Sequence, residues 1–241
     1  MRLHRWSPLV GLFLLGAIAL PALAQGRLQA GPTLIEFSPN AASARLRLRN
    51  TGDAPVAAQV RVYAWSQAGG EDVLQPSDDL AVSPPIAEVP AGGEQLVRLV
   101  NLAPAAAERD RTYRVVVDEL PRPEERETSQ VTLRLRYVIP AFARAADATD
   151  PALTCTLEAN GARLACDNHG GRPAQLGQSR LLPGHGPAVV LNEGLFGYVL
   201  PGSRRVWPIA PALPDDVSRA ELRLETQLNG RSTTLPVGLA P

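Results

Sequence analysis

Apolar and polar residues alternate with a period of two through most of the chain from Gln25 to about Ala143. Runs of this kind, TLIEFSP, ARLRLRNTG, AAQVRVYAWS, EQLVRLVNL and TYRVVVDELP, are separated by turn clusters such as NTGD and PAGGE. No stretch repeats its apolar residues at helical spacing, so the pattern predicts strands. Strands this close together, punctuated by Gly and Pro, indicate a β-sandwich or barrel. The last run, SQVTLRLRYVIPAFARA at residues 129–145, is the longest. Val131, Leu133, Leu135, Tyr137 and Ile139 share one face, while Thr132, Arg134 and Arg136 share the other. Such a strand is about twice the usual length of about 5 to 6 residues, so part of its apolar face outlasts the core of its own domain. The opposing expectation is that these side chains pack inward, as one face of every sandwich strand does. Trp65 falls on the third run, where immunoglobulin-like sandwiches often bury a large aromatic.

The composition changes at ARAADATDPA, residues 143–152, which reads as a short linker. Beyond it, LTCTLEANGARLACDN forms a hairpin, with Asn160 and Gly161 supplying a two-residue turn. Cys155 and Cys166 are equidistant from that turn and therefore face each other, as a cross-strand disulfide requires. Further short runs, AQLGQSRLL, AVVLNE, LFGYVL, RRVWPIA, RAELRLETQ and STTLPVGL, predict a smaller second β domain. The division is therefore residues 25–145 and 146–241.

The opening residues change the setting. MRLHRWSPLVGLFLLGAIALPALAQ has a basic start at Arg2 and Arg5, an apolar run from Leu9 to Leu20, and the small-residue ending Ala22-Leu23-Ala24. This is the pattern of an export signal, residues 1–24, cleaved before Gln25. The apolar run is too short to span a bilayer, and no later segment is long enough, so the mature chain is expected in the periplasm and not embedded in a membrane. Charges balance at 24 basic and 24 acidic, and removal of Arg2 and Arg5 leaves the remainder slightly acidic. That disfavours nucleic acid as a partner.

Candidate chemistry is sparse. His169 and His185 lie in the Gly/Pro-rich segments NHGGRP and PGHGP and read as surface loop residues. Cysteines facing each other across a hairpin suit a disulfide in an exported chain better than zinc ligands, so no metal and no cofactor is expected. Nucleophile-elbow, P-loop and dinucleotide signatures are missing, and the acidic run PEERE reads as a solvated loop. These features weigh against an enzyme.

The order LIEFSP, LRLRNTGDAP, VRVYAWSQ, VSPPIAEVPAGGEQLVRL, YRVVVDELP and IPAFARA resembles the periplasmic pilus chaperones of the PapD-like superfamily. The W-S-Q, S-P-P and I-P-x-F details resemble its archaic branch, which serves spore-coat-U-type pili. The resemblance covers residues 27–145 closely and the second domain faintly. It implies an all-β protein of two immunoglobulin-like β-sandwich domains in a boomerang, without enzymatic activity. It also implies a periplasmic chaperone that lends the long strand to incomplete pilus subunits and passes them to an outer-membrane usher. Val131, Leu133, Leu135, Tyr137 and Ile139 would then enter successive pockets of the client. The free protein would be monomeric or weakly self-associating. The rival is an exported two-domain β-sandwich adhesin or ligand-binding module, which would need an aromatic platform that the few aromatic residues do not supply.

One departure stands out. In the well-studied branch an Arg on the first strand and a Lys near the end of the long strand grip the client's terminal carboxylate. Leu34 and Pro140 match those positions here and bind no anion. Arg98, which the resemblance puts in the cleft between the domains, and Arg136 are the alternative anchors. The resemblance further implies an interdomain charge cluster of Glu119, Arg144 and Asp216.

Overall fold

The computed structural model describes residues 28–39, 41–103, 108–121, 133–158, 161–209, 213 and 221–239. Its strands follow the alternation. In the first domain they are β1 (Leu28–Gly31), β2 (Ile35–Phe37), β3 (Ser43–Asn50), β4 (Val56–Ala68) and β5 (Glu71–Pro76), then β6 (Leu80–Ser83), β7 (Ile86–Val89), β8 (Glu94–Asn101), β9 (Arg111–Glu119) and β10 (Arg136–Ala143). A four-stranded sheet, β1-β3-β8-β6, faces a sheet of order β2-β10-β9-β4-β5, to which β7 adds beside β4. Leu46, Leu48, Val97 and Leu99 from the first sheet interdigitate with Val60, Val62, Val115 and Val117 from the second. The residues between them on each strand point outward, as the pleat requires.

The first strand is shared between the sheets. β1 runs antiparallel to β3, pairing Leu28 with Asn50, whereas β2 runs parallel to β10, pairing Ile35 with Ala141 and Phe37 with Ala143. β9 covers the opposite side of β10 along its whole length, from Arg136 against Asp118 to Ala143 against Arg111. The strand expected over residues 129–145 is thus narrower: it begins at Arg136, residues 133–135 are not strand, and Val131 lies outside the described residues.

The second domain comprises β11 (Leu153–Glu158), β12 (Arg163–Asn168), β13 (Ala174–Leu182), β14 (Val189–Val199), β15 (Arg204–Pro208), β16 (Arg223–Leu228) and β17 (Arg231–Leu239). They form one sheet, β14-β13-β16-β17-β11-β12-β15, around Leu157, Leu164, Leu176, Leu181 and Leu224. Cys155 pairs directly with Cys166 across β11 and β12, and the two are joined by a disulfide. The two runs AVVLNE and LFGYVL are one strand, β14, whose register against β13 shifts at several points. Bulges of this kind break period-two alternation and so hide a continuous strand. No helix among the described residues is long and apolar enough to cross a membrane.

Among the described residues, each domain has a fully buried asparagine that closes a loop. The Asn50 amide donates to the carbonyls of Ala54, Val89 and Pro90, and its oxygen accepts the N–H of Gly52. Asn168 donates to Arg172 and Val199 and accepts from Ala152 and Gly170. Asn50→Ala strands several buried backbone groups at about 1–3 kcal/mol each, so urea denaturation should show a loss of roughly 2–4 kcal/mol. A loss within error of zero would refute this account of the loop.

Candidate functional site

The two sides of β10 are used unequally. The N–H of Glu119 donates to Leu135 O at 3.0 Å, which turns the odd-numbered backbone groups of this segment toward β9. The N–H of Arg144 donates to Phe37 O at 2.8 Å, so the even-numbered groups face the β2 side. Because β2 reaches only Ala141–Ala143, the backbone groups of Arg136 and Val138 meet no strand among the described residues. This is an open sheet edge, able to accept another chain. The entrance to it is held by Glu119, whose carboxylate accepts the N–H of Leu135 at 3.2 Å.

Exposure falls steeply along the apolar face that leads into this edge. Leu133 is 75% exposed, Leu135 and Tyr137 are half-buried against the core, and Ile139 is 4% exposed. Ile139 therefore fills its own domain's core and is not offered to a partner, contrary to the expectation for all five residues. Tyr137 is tied inward as well: its hydroxyl donates to Leu28 O on the facing sheet. On the other face Val138 is 47% exposed.

Guanidinium groups line that second face. Asp118 takes hydrogen bonds from Arg61, at 2.5 Å, and from Arg136. Burial pushes the Asp118 carboxyl up, but the two arginines outweigh it and hold it below the usual carboxylate range. Arg136, one of the expected carboxylate anchors, is thus already paired. Arg114, opposite Pro140 on β9, was not anticipated. Its guanidinium stacks over the Trp65 ring at 3.5 Å from the centroid and makes no ion pair among the described residues. Burial lowers its pKa, with Asp72 and Tyr198 partly offsetting this. The sequence signal was a single polar residue inside the apolar run Tyr113–Val117.

The outer face of the same sheet meets the second domain. Trp65, Phe142, Tyr198 and Leu200 form a buried cluster, with Trp65 edge-on to Tyr198 at 5.3 Å. Trp65 is buried as expected but outside the sandwich core, because its parity on β4 is opposite to that of Val60 and Val62. The Gln67 side chain donates to Tyr198 O and accepts the N–H of Leu200, pairing like a backbone unit. Gly70 O, at the β4–β5 turn, accepts from Val206 N and Arg205 Nη1. A Cβ at Gly70 would lie 2.5 Å from Val206, so only glycine permits that approach. A cleft of about 850 Å³ opens beside the cluster, lined by Leu34, Phe142, Arg144, Arg172, Tyr198 and Arg231 among others.

Two expectations about charge are corrected. Arg144 does not meet Glu119. Its partners are Glu36 and Asp110, whose carboxylate also accepts the N–H of Ala145 at 2.9 Å and whose backbone N–H donates to Gly171 O in the second domain. Glu119 lies at the far end of β9, nine residues or roughly 30 Å from Asp110 at strand rise. Asp216 lies outside the described residues. Arg98 is not in the interdomain cleft: it points outward from β8 on the four-stranded sheet, away from the second domain.

Residues 27–148 match the family model for pili and flagellar-assembly chaperones, PapD N-terminal domain. Solved structures share the fold. A chain in the CsuC–CsuE chaperone–tip adhesion subunit pre-assembly complex, from archaic chaperone–usher Csu pili of Acinetobacter baumannii, is 23% identical, with a TM-score of 0.67 and coverage of 89% of this chain and 99% of that one. The Salmonella enterica SafA pilin–SafB chaperone complex contains a match at 15% identity, TM-score 0.61, covering 90% and 97%. The Pseudomonas aeruginosa CupB2 chaperone matches at 18% identity, TM-score 0.59, covering 88% and 100%. No curated protein matches the chain.

Asp118, with its depressed folded pKa, contributes stability that is present above the unfolded value of about 3.9 and is lost as pH falls through the folded value. Asp118→Asn should therefore cost stability at pH 6 and progressively less below about pH 4; a cost that does not change with pH contradicts the assignment. Asp110→Ala should cost about 1–3 kcal/mol and alter the small-angle scattering profile, because it leaves the buried N–H of Ala145 without its acceptor and Arg144 with Glu36 alone at the junction. Glu119→Ala should leave that profile as in the parent.

Proposed function

The chain belongs to the PapD family of pili and flagellar-assembly chaperones, and from that premise we propose that it holds incomplete pilus subunits in the periplasm by donating a strand, then delivers them to an outer-membrane usher. In this reading residues 1–24 are the cleaved export signal, residues 25–145 the strand-donating domain and residues 146–241 the second domain. The observation that carries it is the open edge of β10 at Arg136 and Val138, led into by an exposed Leu133. Structural neighbours that are chaperone–subunit complexes support the same reading.

The mechanism is one of completion. A client lacking its last strand presents backbone groups along a groove, and the free groups of Arg136 and Val138 extend a ladder into it irrespective of client sequence. Leu133 and Leu135 bury apolar surface in that groove at about 1.5–3 kcal/mol each, and Val131, outside the described residues, has the same parity in the sequence. Tyr137 contributes its exposed part and Ile139 contributes only to the donor's own fold. Arg114 is the anion contact: a desolvated guanidinium at the junction that makes no ion pair among the described residues favours a client's terminal carboxylate over water.

Co-expression with a subunit that lacks its final strand tests this. Leu133→Glu with Leu135→Glu should cut subunit recovery in a pull-down at least about tenfold, corresponding to loss of two buried leucines. Leu195→Glu, at an exposed leucine of the second domain, should leave recovery intact. Undiminished recovery in the double variant overturns the reading, and Arg114→Ala separates the anion contact from the strand.

A further inference from the structure

The four-stranded sheet turns its outer face away from the second domain. Alternation along β3 buries Leu46 and Leu48 and exposes Arg45, Arg47 and Arg49. Register then places Arg45 beside Arg98, Arg47 beside Leu96 and Arg49 beside Glu94 on β8. Four guanidinium groups and one carboxylate thus share one patch. Glu94 is 3.5 Å from Arg47 and 3.9 Å from Arg49, while Arg45 and Arg98 make no ion pair among the described residues. The chain as a whole is balanced at 24 basic and 24 acidic residues, so the patch is a local segregation of charge and does not follow from composition. Like charges directly opposite on neighbouring strands destabilise a sheet, and Arg45 against Arg98 is such a pair.

The face is also concave. Beside the arginine row lies a cleft of about 590 Å³, walled by Gln29, Gly31 and Pro32 on one side and by Leu96, 47% exposed, on the other. A hollow of this shape suits a chain segment better than the plane of a bilayer. Arg45, Arg47 and Arg49 recur every second residue, about 6.6–6.8 Å apart, which is also the repeat of alternate residues in any extended chain.

We infer that this face docks an acidic, extended segment of a protein partner, with carboxylates at alternate residues meeting Arg45, Arg47 and Arg49 and the intervening side chains turned away from the sheet. Guanidinium groups are matched to carboxylates bidentately, and Arg98 widens the attracting field. The cleft borders the open edge without occupying it, since β1, which walls the cleft, is joined to β10 by the Tyr137–Leu28 hydrogen bond. A docked segment and a strand-exchange client therefore fit on the protein together.

The test uses two labelled decapeptides of equal composition, one alternating Asp and Leu and one with the Asp residues grouped, and phosphatidylglycerol vesicles as a third probe. The alternating peptide should bind the full-length mature protein at least about fivefold tighter than its grouped isomer, with affinity falling as salt rises. Arg45→Ala, Arg47→Ala and Arg49→Ala together should weaken it about tenfold, and Arg98→Ala alone about two- to threefold. The altered side chains are exposed, and amide shift changes should map to β1, β3 and β8. Equal affinity for both isomers, or no effect of the triple variant, overturns the inference. Vesicle binding that is lost in the triple variant while peptide binding is absent also overturns it and assigns the face to lipid. The Leu133→Glu, Leu135→Glu variant should keep full peptide affinity, so loss of client binding and loss of this site are distinguishable.

Discussion

The unfilled side of β10 is enforced by the division of the first strand between two sheets. Extending β2 backward in its parallel register would set Pro32 beside Val138 and Ala30 beside Arg136. Residues 28–31, however, are committed to β3, where Leu28 is fully buried and supplies the carbonyl that holds Tyr137. The chain cannot serve both edges, because only residues 32–34 separate β1 from β2. Closing the gap would strip Leu28 from the core and put a proline, which lacks an N–H, into the new ladder. The described residues therefore cannot close this gap without giving up the β1–β3 pairing.

An open edge invites promiscuous pairing, and the residues around this one limit it. Arg136 carries charge at the entrance, Pro140 removes a donor at the point where β2 takes over, and the paired Arg61 and Asp118 keep the adjacent face polar. The other faces of the domain are assigned elsewhere. The outer face of the six-stranded sheet is largely consumed by the junction, through Trp65, Phe142 and Gln67, and the outer face of the four-stranded sheet is basic. Edge, junction and basic face are therefore separate surfaces of one sandwich, so occupation of one leaves the others in place.

Period-two alternation is local, which is why the strands and their faces could be read from residue order: Leu46 inward beside Arg47 outward, or Cys155 directly opposite Cys166. Ownership of a buried side chain is not local. Ile139 shares a face with Leu133, and only the position of Leu28 and Val115 on other strands decides that one is core and the other exposed. Trp65 was recognisable as buried, whereas its burial partners Tyr198 and Leu200 come from a domain more than a hundred residues away. The charge assignments failed for the same reason. Glu119 and Asp110 flank one strand, and which of them meets Arg144 depends on which end of β9 faces the second domain.

Glu119 nevertheless has a part that its position defines. Its backbone N–H donates to Leu135 and its carboxylate accepts from Leu135, so a single residue fixes both polar groups at the point where the ladder gives way to non-strand chain. Leu133, two residues before Leu135, is exposed and not part of a strand. A residue fixed at the base of an open edge lowers the ordering cost of adding a further chain there.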